Sequence, residues 1–276
     1  MLEVKNLTKI YDDGTVALKN ISFTVNDGDF LIIIGLSGSG KSTLLRCINR
    51  LIDPTEGDIL WNGINLSKLE GEDLRKARRK IGMVFQHFNL VKRSSVLTNV
   101  LSGRLGYNST FPTLMHRFPK SDNEKAWTAL KRLGIEDQAY KRADELSGGQ
   151  QQRVGVARAL MQDPDLILAD EPVASLDPVL AHSILTYLEK LNQEDEITIV
   201  CSLHYLDLVQ RYSSRVIGLR DGEIVYRGSR EQIRAMTDEE FQEIYGEEAQ
   251  RVTGGLEGSL EEFGLGEYNH DNQFNK

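Results

Sequence analysis

Between the apolar run Phe30–Ile34 and the stretch Thr43-Leu44-Leu45 lies Gly35-Leu36-Ser37-Gly38-Ser39-Gly40-Lys41-Ser42. A buried strand, a glycine-rich turn and a helix start in that order form the context a phosphate-cradling loop requires. Glycines at 35, 38 and 40 reach backbone angles closed to other residues, so successive amides can turn inward around one anion. The helix that begins near Gly40 adds its unsatisfied amides and the positive end of its dipole. Lys41 places a full charge near the outer phosphates, and the Ser42 hydroxyl is suited to ligate Mg²⁺. The stretch therefore predicts binding of a nucleoside triphosphate, but it does not by itself separate a kinase from a GTPase or a motor.

The rest of the chain supplies the frame for such a loop. Leu2–Ile10 and Ala17–Val25 alternate like half-exposed strands joined by the turn Asp12-Asp13-Gly14, and residues 57–63 read as a further short strand between glycines. They predict an N-terminal antiparallel β subdomain beside the phosphate loop. Ile81–Phe85, Leu166–Ala169 and Ile197–Ser202 are short apolar runs alternating with helical patterns over Gly148–Met161 and Val179–Leu191. That alternation predicts an α/β fold, a RecA-like P-loop core with a parallel sheet wrapped by helices. From about Val96 to Glu145 the spacing turns helical, which predicts an inserted α-helical subdomain over about 88–160. Within it Trp127, Leu130 and Leu133 fall on one face, and the proline-broken Tyr107–Pro119 either forms a docking surface or folds back on the insert. The folded unit is expected to span 1–246, with 247–276 an acidic, mobile tail.

Composition limits the partners. The chain has 276 residues, 40% hydrophobic and 27% charged, with a net charge of −8, which argues against nucleic acid. The basic cluster Arg75, Lys76, Arg78, Arg79 and Lys80 reads as a solvated helix face. Two cysteines, Cys47 and Cys201, fall in apolar contexts without metal-ligand spacing, which fits a reducing cytoplasm. No run reaches the length of a membrane span, so a membrane is expected to be reached only through a partner.

Two further segments carry chemistry. Asp170-Glu171 follows the apolar run Leu166–Ala169, at the carboxyl end of a central strand, where open parallel sheets collect their ligands. Asp170 is suited to hold the magnesium shell and Glu171 to orient and deprotonate a water attacking the γ-phosphorus. In Leu146-Ser147-Gly148-Gly149-Gln150, Ser147 can cap the following helix and the glycines leave its first amides open, making a second anion-binding helix start. One triphosphate scarcely needs two such sites from one subunit, so this one is read as serving the nucleotide held by another copy.

With these segments the sequence resembles the ATP-binding subunits of ABC transporters, nearly throughout residues 1–228. The resemblance assigns Tyr11 to stacking on adenine, and Gly35, Leu36, Ser37, Gly38, Ser39, Gly40, Lys41, Ser42 and Thr43 to the phosphates. It makes Gln86 the glutamine that contacts metal and attacking water, and Ser147, Gly148, Gly149 and Gln150 the family signature. Asp170 and Glu171 become the metal and catalytic pair, Asp177 part of a loop crossing the dimer interface, and His204 the switch histidine; His87, His116, His182 and His270 gain no role. ATP and Mg²⁺ are the implied ligands.

Within the family the resemblance is to the phosphonate importer ATPases, through Gln150-Gln151-Gln152-Arg153, residues 169–178, residues 84–91 and Gly103-Arg104-Leu105. Tyr205 departs from that group, which more often carries glutamine after the histidine. The implied partners are a second copy of the chain, integral membrane permease subunits docking near Gln86–Arg93 and, indirectly, a solute-binding protein. The implied location is the cytoplasmic face of the plasma membrane. A lipoprotein-release or amino-acid transport ATPase, an ABC ATPase in a soluble complex and a small-molecule kinase are the competing readings.

Overall fold

A computed structural model describes residues 1–108 and 118–246. Two sheets organise it. The smaller is antiparallel, in the order β2-β1-β4-β5, from β1 (Leu2–Ile10), β2 (Val16–Val25), β4 (Glu56–Trp61) and β5 (Ile64–Asn65). The larger has the order β10-β9-β3-β8-β7-β6. Its strands are β3 (Phe30–Ile34), β6 (Ile81–Val84), β7 (Leu166–Ala169), β8 (Thr198–Ser202), β9 (Arg215–Arg220) and β10 (Glu223–Ser229). All neighbours in it run parallel except β9 and β10.

Every residue of β3, β6, β7 and β8 is buried. Burying one such side chain contributes roughly 1.5–3 kcal/mol, whereas the whole scale of strand propensity spans about 1 kcal/mol. Burial on both faces therefore decides these strands. The two-residue period sends Phe30, Ile32 and Ile34 into one apolar cluster and Leu31 and Ile33 into the other. On the Leu31 side, Leu44, Leu45 and Ile48 of helix α1 (Lys41–Ile48) meet Leu2, Leu7, Leu18 and Ile59 of the antiparallel sheet.

The opposite face is covered by helices. Following α2 (Gly71–Arg78), whose Ala77 packs on the Leu31 side, these are α3 (Val96–Leu101), α4 (Lys120–Arg132), α5 (Gly148–Leu160) and α6 (Pro178–Asp195). Val96, Val100 and Leu130 of the insert join Ile32, Ile167 and Ile199 of the sheet in one core, so the insert's apolar side chains do not form a separate one. The expected face of α4 is corrected. Ala126, Ala129 and Leu130 are buried with Leu133, while Trp127 is 37% exposed and packs edge-on against Tyr140 at 5.8 Å. The tail 247–276, His116, His270 and most of the proline-broken stretch lie outside the described residues. No described helix is long and apolar enough to cross a membrane.

The order β3-β8-β7 places the carboxyl ends of three strands side by side. Each is followed by a functional segment: Gly35 after β3, Asp170 after β7, His204 shortly after β8.

Candidate functional site

The turn after β3 needs its glycines for two separate reasons. Gly35 and Gly40 have φ of 144° and 104°, and a Cβ on them would lie 2.1 Å from the Leu219 carbonyl oxygen and 2.6 Å from that of Ala17. No side chain fits either position. Gly40 is the N-cap of α1 and offers no side-chain acceptor, so the first amides of that helix stay open. Ser39 Oγ is buried beside the Gly35 backbone without a hydrogen-bond partner among the described residues. Open amides and an unpartnered hydroxyl in one turn are what a bound phosphate would satisfy.

Lys41 is 3% exposed. Its ammonium donates to the carbonyls of Gly35 at 2.8 Å and Leu36 at 2.9 Å and lies 3.7 Å from Glu171 Oε1. Burial lowers its pKa, opposed by the neighbouring Glu171. Ser42 Oγ donates to Asp170 Oδ1 at 2.7 Å, which gives two hard oxygens on adjacent elements. Among the described residues there is no cluster of three or more His, Cys, Asp or Glu suited to a metal. The sparse Ser42–Asp170 pair fits Mg²⁺, which takes one or two protein oxygens and completes its shell with water and substrate phosphates. Tyr11, at the end of β1, reaches Thr43 through its hydroxyl at 3.2 Å, and Lys9 stands over its ring at 5.3 Å.

Asp170 is 2% exposed, and its second oxygen faces Arg46 at 3.4 Å. Glu171 adopts φ 45°, the left-handed region that a non-glycine residue holds only with support. Its Oε1 accepts from His204 Nε2 at 2.5 Å, and its amide donates to Ser202 Oγ at 2.9 Å. The hydrogen bond from His204 holds the Glu171 carboxyl below the usual carboxylate range, with burial opposing and Lys41 assisting. The structure thus brings Lys41, Ser42, Asp170, Glu171 and His204 together. Arg46 and Ser202 were not singled out from the sequence. A hydroxyl ending the otherwise apolar run Ile-Val-Cys-Ser was the available signal for Ser202.

The second helix start is built as expected but lies elsewhere. Ser147 caps α5, its Oγ accepting from the Gln150 amide at 3.4 Å while Gln150 Oε1 accepts from the Ser147 amide at 3.0 Å. This capping box leaves the amides of Gly148 and Gly149 without intrahelical acceptors. A Cβ on Gly148 would come 3.6 Å from Leu176 and 3.7 Å from Phe88, so the signature, the Asp177 loop and the segment after Gln86 share one face. Asp177 caps α6 through the Leu180 amide at 3.0 Å. Arg158, also on α5, donates to the carbonyls of Asn89 at 2.5 Å and Phe88 at 2.9 Å, fixing two residues with φ near 50° just after the half-buried Gln86.

The cavity beside the phosphate loop holds about 130 Å³ and is lined by Ala17, Gly38, Gly40, Lys41, Ser42, Thr43 and Glu171. None of Ser147–Gln150 contributes. Ligand pockets run to about 300–1,000 Å³, so this cavity is smaller than a complete ligand pocket. His182 is structural, bonded through Nδ1 to the Tyr212 hydroxyl at 3.1 Å. The thiols of Cys47 and Cys201 are both fully buried, and burial pushes that of Cys47 up to about 12 and that of Cys201 higher still, so neither is a nucleophile.

Known proteins share this fold. The ABC transporter family profile matches residues 18–174. The chain belongs to that family, and its fold is the ABC ATPase cassette. A phosphonates import ATP-binding protein, PhnC 3 of Halalkalibacterium halodurans, is 51% identical over 246 residues, 89% of this chain and 94% of its own length. Its counterpart PhnC in Shouchella clausii is 53% identical over 246 residues, 89% of this chain and 91% of its own. A solved bacterial ABC transporter cassette, described as dimeric, is 38% identical with a TM-score of 0.75, over 83% of this chain and 98% of that one. A dimeric cassette in a post-hydrolysis state with ADP and Pi aligns at a TM-score of 0.74 with the same identity and coverage.

Proposed function

We infer that this chain is the ATP-hydrolysing subunit of an ABC importer for phosphonates, and that it works as a dimer closed by ATP. The hydrolytic assignment is carried by the convergence of Lys41, Ser42, Asp170 and Glu171 where β3 and β7 end. Relatives at 51% and 53% identity whose names specify phosphonates import support the solute over the amino-acid, lipoprotein and soluble-complex readings.

On binding, the γ-phosphate draws the Lys41 ammonium from the Gly35 and Leu36 carbonyls. The amides at the start of α1 and the residues Gly35–Thr43 cradle the phosphates, and Tyr11 stacks on adenine. Ser42 and Asp170 would hold Mg²⁺, with Gln86 a further candidate ligand; when bound, the ion would supply positive charge to the phosphates. Glu171 takes a proton from the attacking water, and His204 Nε2–H keeps that carboxylate oriented. The open side of the site is closed by Ser147, Gly148, Gly149 and Gln150 of a second copy, with Asp177 at the same interface. Membrane permease subunits dock on the segment Gln86–Arg93, which puts the protein at the cytoplasmic face of the membrane.

The solute is tested on the chain assembled with its permease and binding protein. Methylphosphonate is expected to stimulate ATP turnover; stimulation by an amino acid and not by methylphosphonate would overturn the phosphonate assignment.

The histidine makes a second prediction. His204→Ala is expected to lower turnover by about 10²-fold or more and to move the acid limb of the pH–rate profile upward. The ring's hydrogen bond is the largest influence lowering the Glu171 pKa. Without it the carboxyl protonates at higher pH, and a protonated carboxyl cannot act as base. An acid limb unmoved in the variant would show that another group sets it.

A further inference from the structure

We propose that Ser202 is a positioning residue that fixes the metal-side carboxylate of Asp170 and the hydrolytic Glu171 relative to each other, an inference that rests on the ATPase reading above. Ser202 ends β8, the strand paired with both β3 and β7, and is fully buried. Its hydroxyl accepts from the Glu171 amide at 2.9 Å and donates to Asp170 Oδ1 at 3.4 Å. One oxygen therefore uses its donor and one acceptor position on consecutive residues of the neighbouring strand's end.

Both partners need such support. Asp170 Oδ1 also accepts from Ser42 at 2.7 Å, so the longer Ser202 contact is a second restraint, from β8 rather than α1, on the carboxylate that would face the metal. Glu171 sits at φ 45°, and the Ser202 bond to its amide is a direct restraint on that backbone. Residues that orient metal ligands in this way typically cost 10- to 100-fold in metal affinity or activity when altered.

The test is an isosteric pair in the full chain. Ser202→Thr keeps the hydroxyl and adds a methyl, and Ser202→Val has nearly the shape of the Thr variant with a second methyl in place of its hydroxyl. Two quantities are read: the Mg²⁺ concentration that half-saturates the Mg²⁺-dependent gain in binding of a fluorescent ATP analogue, and kcat at saturating Mg²⁺. Ser202→Val is expected to raise the first about tenfold and to lower the second about 10- to 100-fold. Its melting temperature and Mg²⁺-free affinity for the analogue should match those of Ser202→Thr, which stays near wild type in both quantities. Ser202→Ala, which removes only the oxygen, repeats the expectation without the added methyl. The proposal is overturned if Val, Thr and Ala variants agree in Mg²⁺ requirement and kcat, or if Mg²⁺-free affinity falls in step with activity. Glu171→Gln run alongside separates the two ideas: a Glu171→Gln protein with near wild-type turnover sinks the ATPase reading, whereas a dead one beside indistinguishable Ser202 variants sinks only the role of Ser202.

Discussion

Glu171→Gln is expected to bind ATP and hold the closed dimer while hydrolysing about 10² to 10⁴ times more slowly than the wild type. The substitution keeps the side chain's length and its capacity to accept from His204 Nε2, now 2.5 Å from Glu171 Oε1, but an amide cannot take the proton of an attacking water. In the wild type the carboxyl is kept ionised, the form that can accept a proton, since His204 and Lys41 hold it below the ordinary carboxylate range. The change also removes a negative charge 3.7 Å from Lys41, the lysine proposed to receive the γ-phosphate, so binding is not expected to suffer. Turnover at saturating ATP and sedimentation in its presence read the two halves of the expectation. Near wild-type turnover would remove Glu171 from the reaction.

Ser147→Arg should abolish ATP-dependent dimerisation and leave the affinity of a single chain for ATP largely unchanged. The Ser147 hydroxyl caps α5, and the two glycines behind it present open amides; a bulky cation there loses the cap and fills the space a phosphate would enter. Moving a dimer from 1:99 to 99:1 closed takes about 5.5 kcal/mol of differential binding. Hydrogen bonds to charged groups contribute about 1.5–3 kcal/mol each, so losing a few across two symmetric sites is enough to hold the subunits apart. Because the 130 Å³ cavity by the phosphate loop contains none of Ser147–Gln150, affinity of the separate chain has little to lose. A dimer that persists in sedimentation with ATP would refute the shared site.

Much of this site could be seen in the linear pattern because its parts are local. A run of five apolar residues into glycines positions the phosphate loop, a serine three residues before a glutamine builds the α5 cap, and Asp170 directly follows a buried strand. What could not be seen depends on register and facing. Ser202 matters only because β8 lies between β3 and β7, an order that no local spacing encodes. Trp127 shares helical spacing with Leu130, yet the sheet claims the adjacent stripe through Ala126 and Ala129 and leaves the indole at the surface. The Lys41 ammonium turned onto its own loop carbonyls is likewise a three-dimensional fact, since any lysine in that motif reads as a phosphate ligand.

The Arg158 guanidinium has a mechanical consequence. It grips the carbonyls of Phe88 and Asn89, and it stands on the same helix as Ser147, eleven residues or about 16 Å along the axis. A displacement of that carbonyl pair must either break two charge-assisted bonds or drag the whole rod, and its far tip, along. The turn after Gln86 and the Ser147 end of the helix are therefore tied through one rod, so that if a neighbour docks on that turn as proposed above, its tug and the seating of a phosphate at the far tip would be two ends of a single lever.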